Sequence, residues 1–207
     1  MALGQGEPHG TLRAQAILVR HAATRWSGVR YSGRSDPWLS PAGRAQAAAL
    51  AAEVAADLRT GESVSLVSSP ARRARQTARA IEAAVARRGD MRLVDGLRLD
   101  PRWSEVDVGR VDGWTFERIE RRLPALAAAL AAGDPAIDWP AGETATGLGR
   151  RVLAAWADVV AEPADTVIVV SHAGPLRLAV AAAEGRDPHE VPFAAVASRR
   201  CVLRSRA

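Results

Sequence analysis

The sequence contains no lysine and no asparagine, so all 28 basic residues are arginine. The first absence excludes Schiff-base chemistry, which needs a lysine amine, and the Walker-type phosphate loop, whose lysine contacts the phosphates. A phosphate ligand would therefore have to be bound by arginine and histidine. The net charge of +5 suits an anionic ligand without requiring nucleic acid.

Cysteine and long apolar segments are also scarce. The single cysteine, Cys201, allows no internal disulfide and no cysteine-based metal site, which fits a reducing compartment. No run of about 18 apolar residues occurs, so we expect no membrane span. Residues 1–10 lack the basic start and apolar core of a secretory signal, and the basic residues match no nucleic-acid-binding module. We therefore expect a cytoplasmic protein that binds neither membranes nor nucleic acid.

Short apolar runs alternate with helix-start signals, which predicts an α/β fold. The runs Ala16–Val19, Ser63–Ser68 and Thr166–Ser171 are expected to form buried strands, and Met91–Leu97 and Ala195–Leu203 are weaker candidates. Helices are predicted from Pro41 to about Arg59, from Ser69-Pro70 toward Arg88, and over Trp114–Ala132, Thr146–Ala161 and Pro175–Ala183. A chain of 207 residues suits one domain, here a three-layer α/β/α domain over residues 1–207 with a mostly parallel central sheet.

Residues able to handle phosphate follow the predicted strands. Arg20 and His21 follow the first, Arg73 lies soon after the second, and His172 closes the last of the three buried runs. Glu105 comes after the weaker candidate between them. In parallel sheets, ligands bind at the carboxyl ends of the strands, so these side chains should meet at one edge. An imidazole can attack phosphorus, arginines can bind the phosphoryl oxygens, and a carboxylic acid can protonate the leaving group. The set indicates phosphoryl transfer.

A longer series of motifs contains these residues. It begins with Leu18–Trp26, which holds Arg20-His21-Ala22-Ala23-Thr24. It continues with Gly33-Arg34-Ser35-Asp36, Leu39-Ser40, Gly43–Ala47, Ser68-Ser69-Pro70 through Gln76-Thr77, Glu105 with Gly109 and Gly113, Gly142-Glu143-Thr144, and Ser171-His172-Ala173-Gly174 with Arg177. This ordered series resembles the histidine phosphatase superfamily, whose signature is R-H-G-x-T and which includes the cofactor-dependent phosphoglycerate mutases. It covers about residues 16–180, which makes it far more specific than one motif.

The resemblance implies a role for each of these residues. His21 would be the nucleophile, and His172 would steady the transferring phosphoryl group. Arg20 and Arg73 would clamp its oxygens, and Glu105 would act first as an acid and then as a base. The remaining implied substrate contacts are the Thr24 hydroxyl, Ser27, Gly33 and the backbone N–H of Ala173. The resemblance also implies a small helical cap, which we call the cap segment (about residues 100–142), and neither a metal nor a cofactor.

Some assignments stay open at the level of sequence. Asp100 and Asp107 compete with Glu105 for the acid role, although the position of Glu105 fits best. Trp103, Trp114 and Trp139 lie in or beside the cap segment, where core packing and pocket lining are equally good interpretations.

The chain also departs from the family pattern at several positions. Ala22 stands where glycine is usual, Ala23 replaces a common glutamate, and Ser27 occupies a usual asparagine position. Val111-Asp112-Gly113 replaces a Trp-Glu-Gly run. None of these changes removes a catalytic group, but the first two put efficiency and substrate fit in question.

The expected function is hydrolysis of a small phosphorylated metabolite, a phosphomonoester, through a phosphohistidine intermediate on His21. Two alternatives remain: a phosphoglycerate mutase-type phosphotransfer, and a regulatory module that binds phosphate with little turnover. The short cap segment favours the phosphatase. A homodimer is the expected assembly, and the sequence does not identify the substrate.

Overall fold

A computed structural model describes residues 15–134, 136–191, 196 and 200–203. Within them, five strands form one sheet: β1 (Gln15–Arg20), β2 (Ser63–Ser68), β3 (Arg92–Leu99), β4 (Thr166–Ser171) and β5 (Arg200–Leu203). Their spatial order is β3-β2-β4-β1-β5. The first four run parallel, and β5 is antiparallel to β1. The predicted α/β class and mostly parallel sheet are thus confirmed.

The central strands form because their sequences are apolar on both faces. All six residues of β2 and all six of β4 are buried, as expected for strands covered by helices on each side. β3 lies at the edge of the sheet and is more exposed. It contains an irregularity at Asp95 and Gly96, both with positive φ, and it extends two residues beyond the predicted end.

The helices follow their sequence signals closely. They are α1 (Pro41–Asp57), α2 (Arg72–Arg88), α3 (Phe116–Arg122), α4 (Pro124–Ala131), α5 (Ala145–Ala161) and α6 (Ala173–Glu184). The hydroxyl of Ser40 caps α1 by accepting a hydrogen bond from the Gly43 N–H, and Pro41 occupies the first turn. Short 3-10 turns occur at Pro101–Trp103, Gly109–Val111 and Pro188–Glu190.

Two hydrophobic cores cover the two faces of the sheet. Alternate residues of β1 show this, since Ile17 and Val19 pack with α1 and α2, whereas Ala16 and Leu18 pack with α5 and α6. The second core also takes in apolar residues from the cap segment, among them Trp103. The three layers, α/β/α, therefore follow the prediction.

One predicted helix is wrong. Trp114–Ala132 does not form a single helix but α3 and α4, which are separated at Leu123. The following residue is Pro124, which has no N–H to donate and disfavours helical geometry in the residue before it. Leu123 accordingly leaves the helical region, with φ −142° and ψ 65°.

Some predictions fall partly outside the described residues. Of the strand predicted over Ala195–Leu203, only Arg200–Leu203 lies among them as a strand. Among the described residues, no helix is both long and apolar enough to cross a bilayer.

Candidate active site

The register of β1 against β4 places the two predicted histidines side by side. Arg20 pairs with Ser171, and the backbone N–H of His21 donates to the Ser171 carbonyl at 2.9 Å. Each histidine is the next residue after its strand. Their rings meet edge to face, with centroids 5.0 Å apart and an angle of 61° between the planes. Neighbouring parallel strands thus bring together residues that are far apart in sequence.

The backbone determines which nitrogen of His21 carries the proton. Nδ1 lies 2.8 Å from the carbonyl oxygen of Ala22, and because a carbonyl can only accept, Nδ1 is the donor. In the neutral ring the lone pair is then on Nε2, the nitrogen available to attack phosphorus. Ala22 is fully buried, and its own N–H donates to the Thr77 hydroxyl at 3.0 Å.

His172 is fully buried, in contrast to the half-buried His21. Its Nε2 is 2.8 Å from the Ser69 hydroxyl, and its Nδ1 has no hydrogen-bond partner among the described residues. Burial is the main cause that lowers the pKa of His172 well below its usual value, and nearby positive groups add to the effect. The ring is therefore neutral near pH 7. A buried nitrogen without a partner is the kind of group that a ligand can satisfy.

Arg73 lies in the first turn of α2, and only 2% of it is exposed. Its guanidinium donates to the carbonyls of Ser35 and Ser32 at 2.9 and 3.3 Å, and it lies 3.7 Å from Asp36. Burial lowers its pKa, while Glu105 and Asp36 act in the opposite direction. Arginine nevertheless remains charged in proteins, so a positive charge is present inside the site.

Glu105 follows the 3-10 turn that comes after β3. One oxygen of its carboxyl accepts the Val106 N–H at 3.0 Å, and a Cβ on Gly174 would lie 2.9 Å from the same oxygen. The carboxyl is therefore next to the first turn of α6, close to His172. Burial raises the pKa of Glu105, while Arg73 and Arg20 partly oppose this rise. The competing carboxylates lie differently: Asp100 binds Arg102, and Asp107 binds Arg34.

The two predicted hydroxyl contacts lie in the turn after His21. Thr24 is buried, and its Oγ1 accepts the Trp26 N–H at 3.1 Å. Ser27 is exposed, and its Oγ accepts the Thr24 N–H at 2.9 Å and lies 3.3 Å from the Thr24 hydroxyl. Both side chains therefore help to shape the turn, and their contact with substrate stays a prediction.

Gly33 and Ala173 offer backbone groups only. The N–H of Gly33 donates to Asp112 at 3.1 Å, and a Cβ at this position would lie 2.6 Å from the Val106 carbonyl oxygen. The structure thus shows a packing role for Gly33, and a direct substrate contact stays a prediction. Ala173 is the first residue of α6, so its N–H has no acceptor within the helix. A helix N-terminus of this kind favours anions.

Sequence reasoning did not single out several residues that support this site. Ser69 is hydrogen-bonded to His172. The Thr77 hydroxyl accepts a hydrogen bond from the Ala22 N–H and donates one to the Arg73 carbonyl at 2.8 Å. Arg151 and Glu143 bond the segment around Glu105. Ser69, Thr77 and Glu143 lie within the ordered series of motifs, and this position could have identified them as site residues. Arg151 lies outside those motifs.

The structure separates the three tryptophans. Trp103 is 1% exposed and belongs to the core. Trp114 and Trp139 are only partly buried: the Arg118 guanidinium stacks over the Trp114 ring at 4.0 Å, and the Trp139 and Tyr31 rings are 6.0 Å apart. In the described part of the chain, no three His, Cys, Asp or Glu side chains are grouped as a metal site.

The chain is similar to known enzymes over most of its length. Phosphoserine phosphatase 1 of Hydrogenobacter thermophilus is 32% identical over 174 residues, which are 83% of this chain and 76% of that protein. The protein named "Probable phosphoglycerate mutase GpmB" of Yersinia enterocolitica is 29% identical over 195 residues, 92% of this chain and 81% of that one.

Solved structures agree with this relationship. The native structure of mycobacterial glucosyl-3-phosphoglycerate phosphatase superposes with a TM-score of 0.69 at 29% identity, covering 86% of this chain and 83% of that one. A sequence model of the histidine phosphatase superfamily, branch 1, matches residues 16–202. The chain therefore belongs to the histidine phosphatase superfamily, branch 1, as the ordered series of motifs had indicated.

Proposed function

We propose that this chain hydrolyses a small phosphomonoester through a phosphohistidine on His21, with Glu105 as the proton donor. One observation carries the proposal. His21 and His172 are in ring contact at the carboxyl edge of the sheet, and the half-buried Glu105, whose pKa is raised, has a carboxyl oxygen against Gly174 in the first turn of α6, which directly follows His172. Two arginines, Arg20 and Arg73, are near enough to influence that carboxyl.

The first step forms a bond between Nε2 of His21 and phosphorus, and the bond from phosphorus to the ester oxygen breaks. Glu105 donates its proton to the departing oxygen, which leaves as an alcohol. Arg20 and Arg73 bind the phosphoryl oxygens, whose charge is spread in the transition state. In the second step, Glu105 takes a proton from water, the water oxygen bonds to phosphorus, and the bond from phosphorus to Nε2 breaks, so that phosphate departs and both His21 and Glu105 return to their starting states.

The neutral state of His172 suits this scheme. A neutral imidazole can donate one hydrogen bond to a phosphoryl oxygen without adding a charge that depends on pH. The N–H groups at the start of α6 provide further donors. A structure of mycobacterial glucosyl-3-phosphoglycerate phosphatase with inorganic phosphate, 30% identical to this chain, supports a phosphate site in this fold.

The names of the relatives suggest where to look for the substrate. Phosphoserine and glucosyl-3-phosphoglycerate both combine a phosphate ester with a carboxylate on a three-carbon unit. We propose phosphorylated carboxylic acids of this kind as the first compounds to screen, beginning with O-phosphoserine and 3-phosphoglycerate.

The test is hydrolysis of para-nitrophenyl phosphate in the presence of chelator. Wild type should turn over and should form an acid-labile phosphoenzyme on rapid quench, and His21→Ala should do neither. Comparable turnover in His21→Ala would remove the nucleophile from the scheme. A strict requirement for added divalent ions would contradict the metal-independent mechanism.

A mutase is the second candidate, because several relatives carry the name phosphoglycerate mutase. With 3-phosphoglycerate as substrate, a phosphatase releases inorganic phosphate, whereas a mutase forms 2-phosphoglycerate. If wild type binds phosphate but turns over no phosphoester, the chain is a binding module instead, and Ala22 would be the first position to examine.

A further inference from the structure

The proposed acid lies on a segment without regular structure. Residues 104–108 belong to no helix or strand. General acid catalysis requires the acid within hydrogen-bond reach of the leaving oxygen, so something must hold this segment in place. No helix or strand ladder runs through this segment, so it is held by individual hydrogen bonds from neighbouring parts of the chain.

Arg151, on the second turn of α5, makes three hydrogen bonds to the backbone around Glu105. Its Nη1 donates to the carbonyls of Arg102 and Ser104, both at 2.7 Å. Its Nη2 donates to the carbonyl of Glu105 itself at 3.2 Å. One guanidinium thus binds three carbonyls within four residues, which fixes the path of the backbone on either side of the acid.

Glu143 binds the guanidinium of Arg151 and holds it in this orientation. Its two carboxylate oxygens accept from Nε and Nη2 of Arg151 at 2.6 and 2.8 Å. It also reaches the far side of the acid, since the Asp107 N–H donates to its carboxylate at 3.4 Å and its own N–H donates to the Asp107 carbonyl at 2.8 Å. The two residues therefore bracket Glu105 from both directions.

Gly142 and Thr144, the neighbours of Glu143 in the Gly142-Glu143-Thr144 motif, help to place Glu143 and Arg151 against the segment that carries Glu105. A Cβ on Gly142 would lie 2.8 Å from the Gly109 nitrogen and would overlap the Asp107 carbonyl, so only glycine allows this approach. Thr144 caps α5 by accepting the Gly147 N–H at 3.0 Å. The motif thus begins the helix that carries Arg151 and brings it against the acid segment.

We propose that Arg151 and Glu143 are positioning residues that set the location of the Glu105 carboxyl for proton transfer. This inference rests on the proposed role of Glu105 as general acid. In the proposed mechanism, neither residue binds the phosphoryl group; they act through the backbone of the acid segment. Arg151 also lowers the pKa of Glu105 against the larger effect of burial, which helps the carboxyl to exchange its proton in both steps.

The chain contains a matched control for this arrangement. Arg88, at the end of α2, donates from Nη1 to the carbonyls of Ala55 and Leu58 at 2.6 and 2.8 Å, and its Nε and Nη2 bind both oxygens of Asp90. The chemistry matches that of Arg151, and the arginine side chains are 28% and 21% exposed. Arg88 is the last residue of α2 and precedes the amino end of β3, so it lies at the opposite edge of the sheet from the acid.

The experiment compares Arg151→Met, Arg151→Lys, Arg88→Met and Glu105→Gln with wild type on two substrates. One is para-nitrophenyl phosphate, whose leaving group needs little protonation, and the other is an alkyl phosphate that needs it. Because Glu105 also acts as a base in the second step, which both substrates share, the comparison uses kcat/KM, which reports the first step. Glu105→Gln should lose about 10²–10⁴-fold in kcat/KM on the alkyl ester and much less on the aryl ester. Arg151→Met should show the same selectivity, with a loss of about 100-fold on the alkyl ester, as expected for a misplaced catalytic group.

Two further readouts separate positioning from general damage. Arg151→Lys keeps the charge but cannot bind three carbonyls and a carboxylate, so it should also lose alkyl-ester activity. The pH at which kcat/KM of Arg151→Lys falls on the alkaline side should stay closer to the wild-type value than that of Arg151→Met. In Arg151→Met, loss of the positive charge raises the pKa of Glu105 and moves this fall to higher pH. Arg88→Met should lose stability without any change in the ratio of the two activities.

The outcomes distinguish the two proposals. If Glu105→Gln is selective for the alkyl ester but Arg151→Met lowers both activities equally, the positioning role is wrong and the acid role stands. If Glu105→Gln lowers both activities equally, the acid role of Glu105 is wrong, and the positioning inference fails with it.

Discussion

Replacing Thr77 with valine should destabilise the protein and weaken the site through a single backbone N–H. The Thr77 side chain is fully buried, and its hydroxyl is the acceptor for the Ala22 N–H at 3.0 Å. Valine keeps the volume of the side chain, so no cavity forms, but the Ala22 N–H is left buried without an acceptor. An unsatisfied buried donor costs about 1–3 kcal/mol, and we expect the free energy of unfolding to decrease by this amount.

The measurement is urea unfolding at pH 7, together with hydrogen exchange of the Ala22 amide. Thr77→Ser is the control, since it keeps the hydroxyl and removes only a methyl group, at a cost of about 0.5–1.5 kcal/mol. The amide hydrogen of Ala22 should exchange faster in Thr77→Val than in Thr77→Ser. Because Ala22 directly follows His21, Thr77→Val should also hydrolyse phosphoesters more slowly than Thr77→Ser. Equal exchange rates and equal activities in the two variants would show that the Thr77 hydroxyl does not hold this loop.

Two predictions concern pH. Burial raises the pKa of Glu105, so kcat/KM for an alkyl phosphate should fall as the pH rises through a value above the usual range of carboxyl groups. The Glu105→Gln variant should not show this fall. A profile in the variant that matches wild type would refute the assignment of Glu105 as the acid. Because burial lowers the pKa of His172, the unfolded chain takes up a proton below about pH 6.5 that the folded chain does not accept. The free energy of unfolding should therefore decrease as the pH falls below that value. Urea unfolding between about pH 5 and 8 should show a smaller decrease for His172→Gln than for wild type. The same dependence of unfolding free energy on pH in both proteins would contradict the prediction.

The fold and the convergence of the catalytic candidates could be predicted because the signals are local. Each central strand is a short run of buried apolar residues, and a histidine follows two of them directly. Parallel pairing then places those histidines at one edge without further information. The break at Pro124 was equally local, since a proline within a helical pattern ends the helix at the residue before it.

The contacts that support the site could not be predicted in the same way. The bond from Arg151 to the Arg102 carbonyl spans 49 residues, and the one between His172 and Ser69 spans 103. Such bonds depend on how α5 and the strand ends are placed in three dimensions, and no spacing in the sequence records that placement. The pKa shifts of Glu105 and His172 have the same origin, because burial is their largest cause.

The bonds between Asp107 and Glu143 have a consequence for the changes of length that this chain can accept. The chain leaves the catalytic layer at Asp107 and returns at Glu143, where the backbone bond between these two residues closes the excursion at 2.8 Å. Long insertions into such an excursion cost little in loop-closure entropy. We therefore expect residues 108–142 to accept changes of length between these two ends, provided that the core contacts of Val111 and Ile119 are kept.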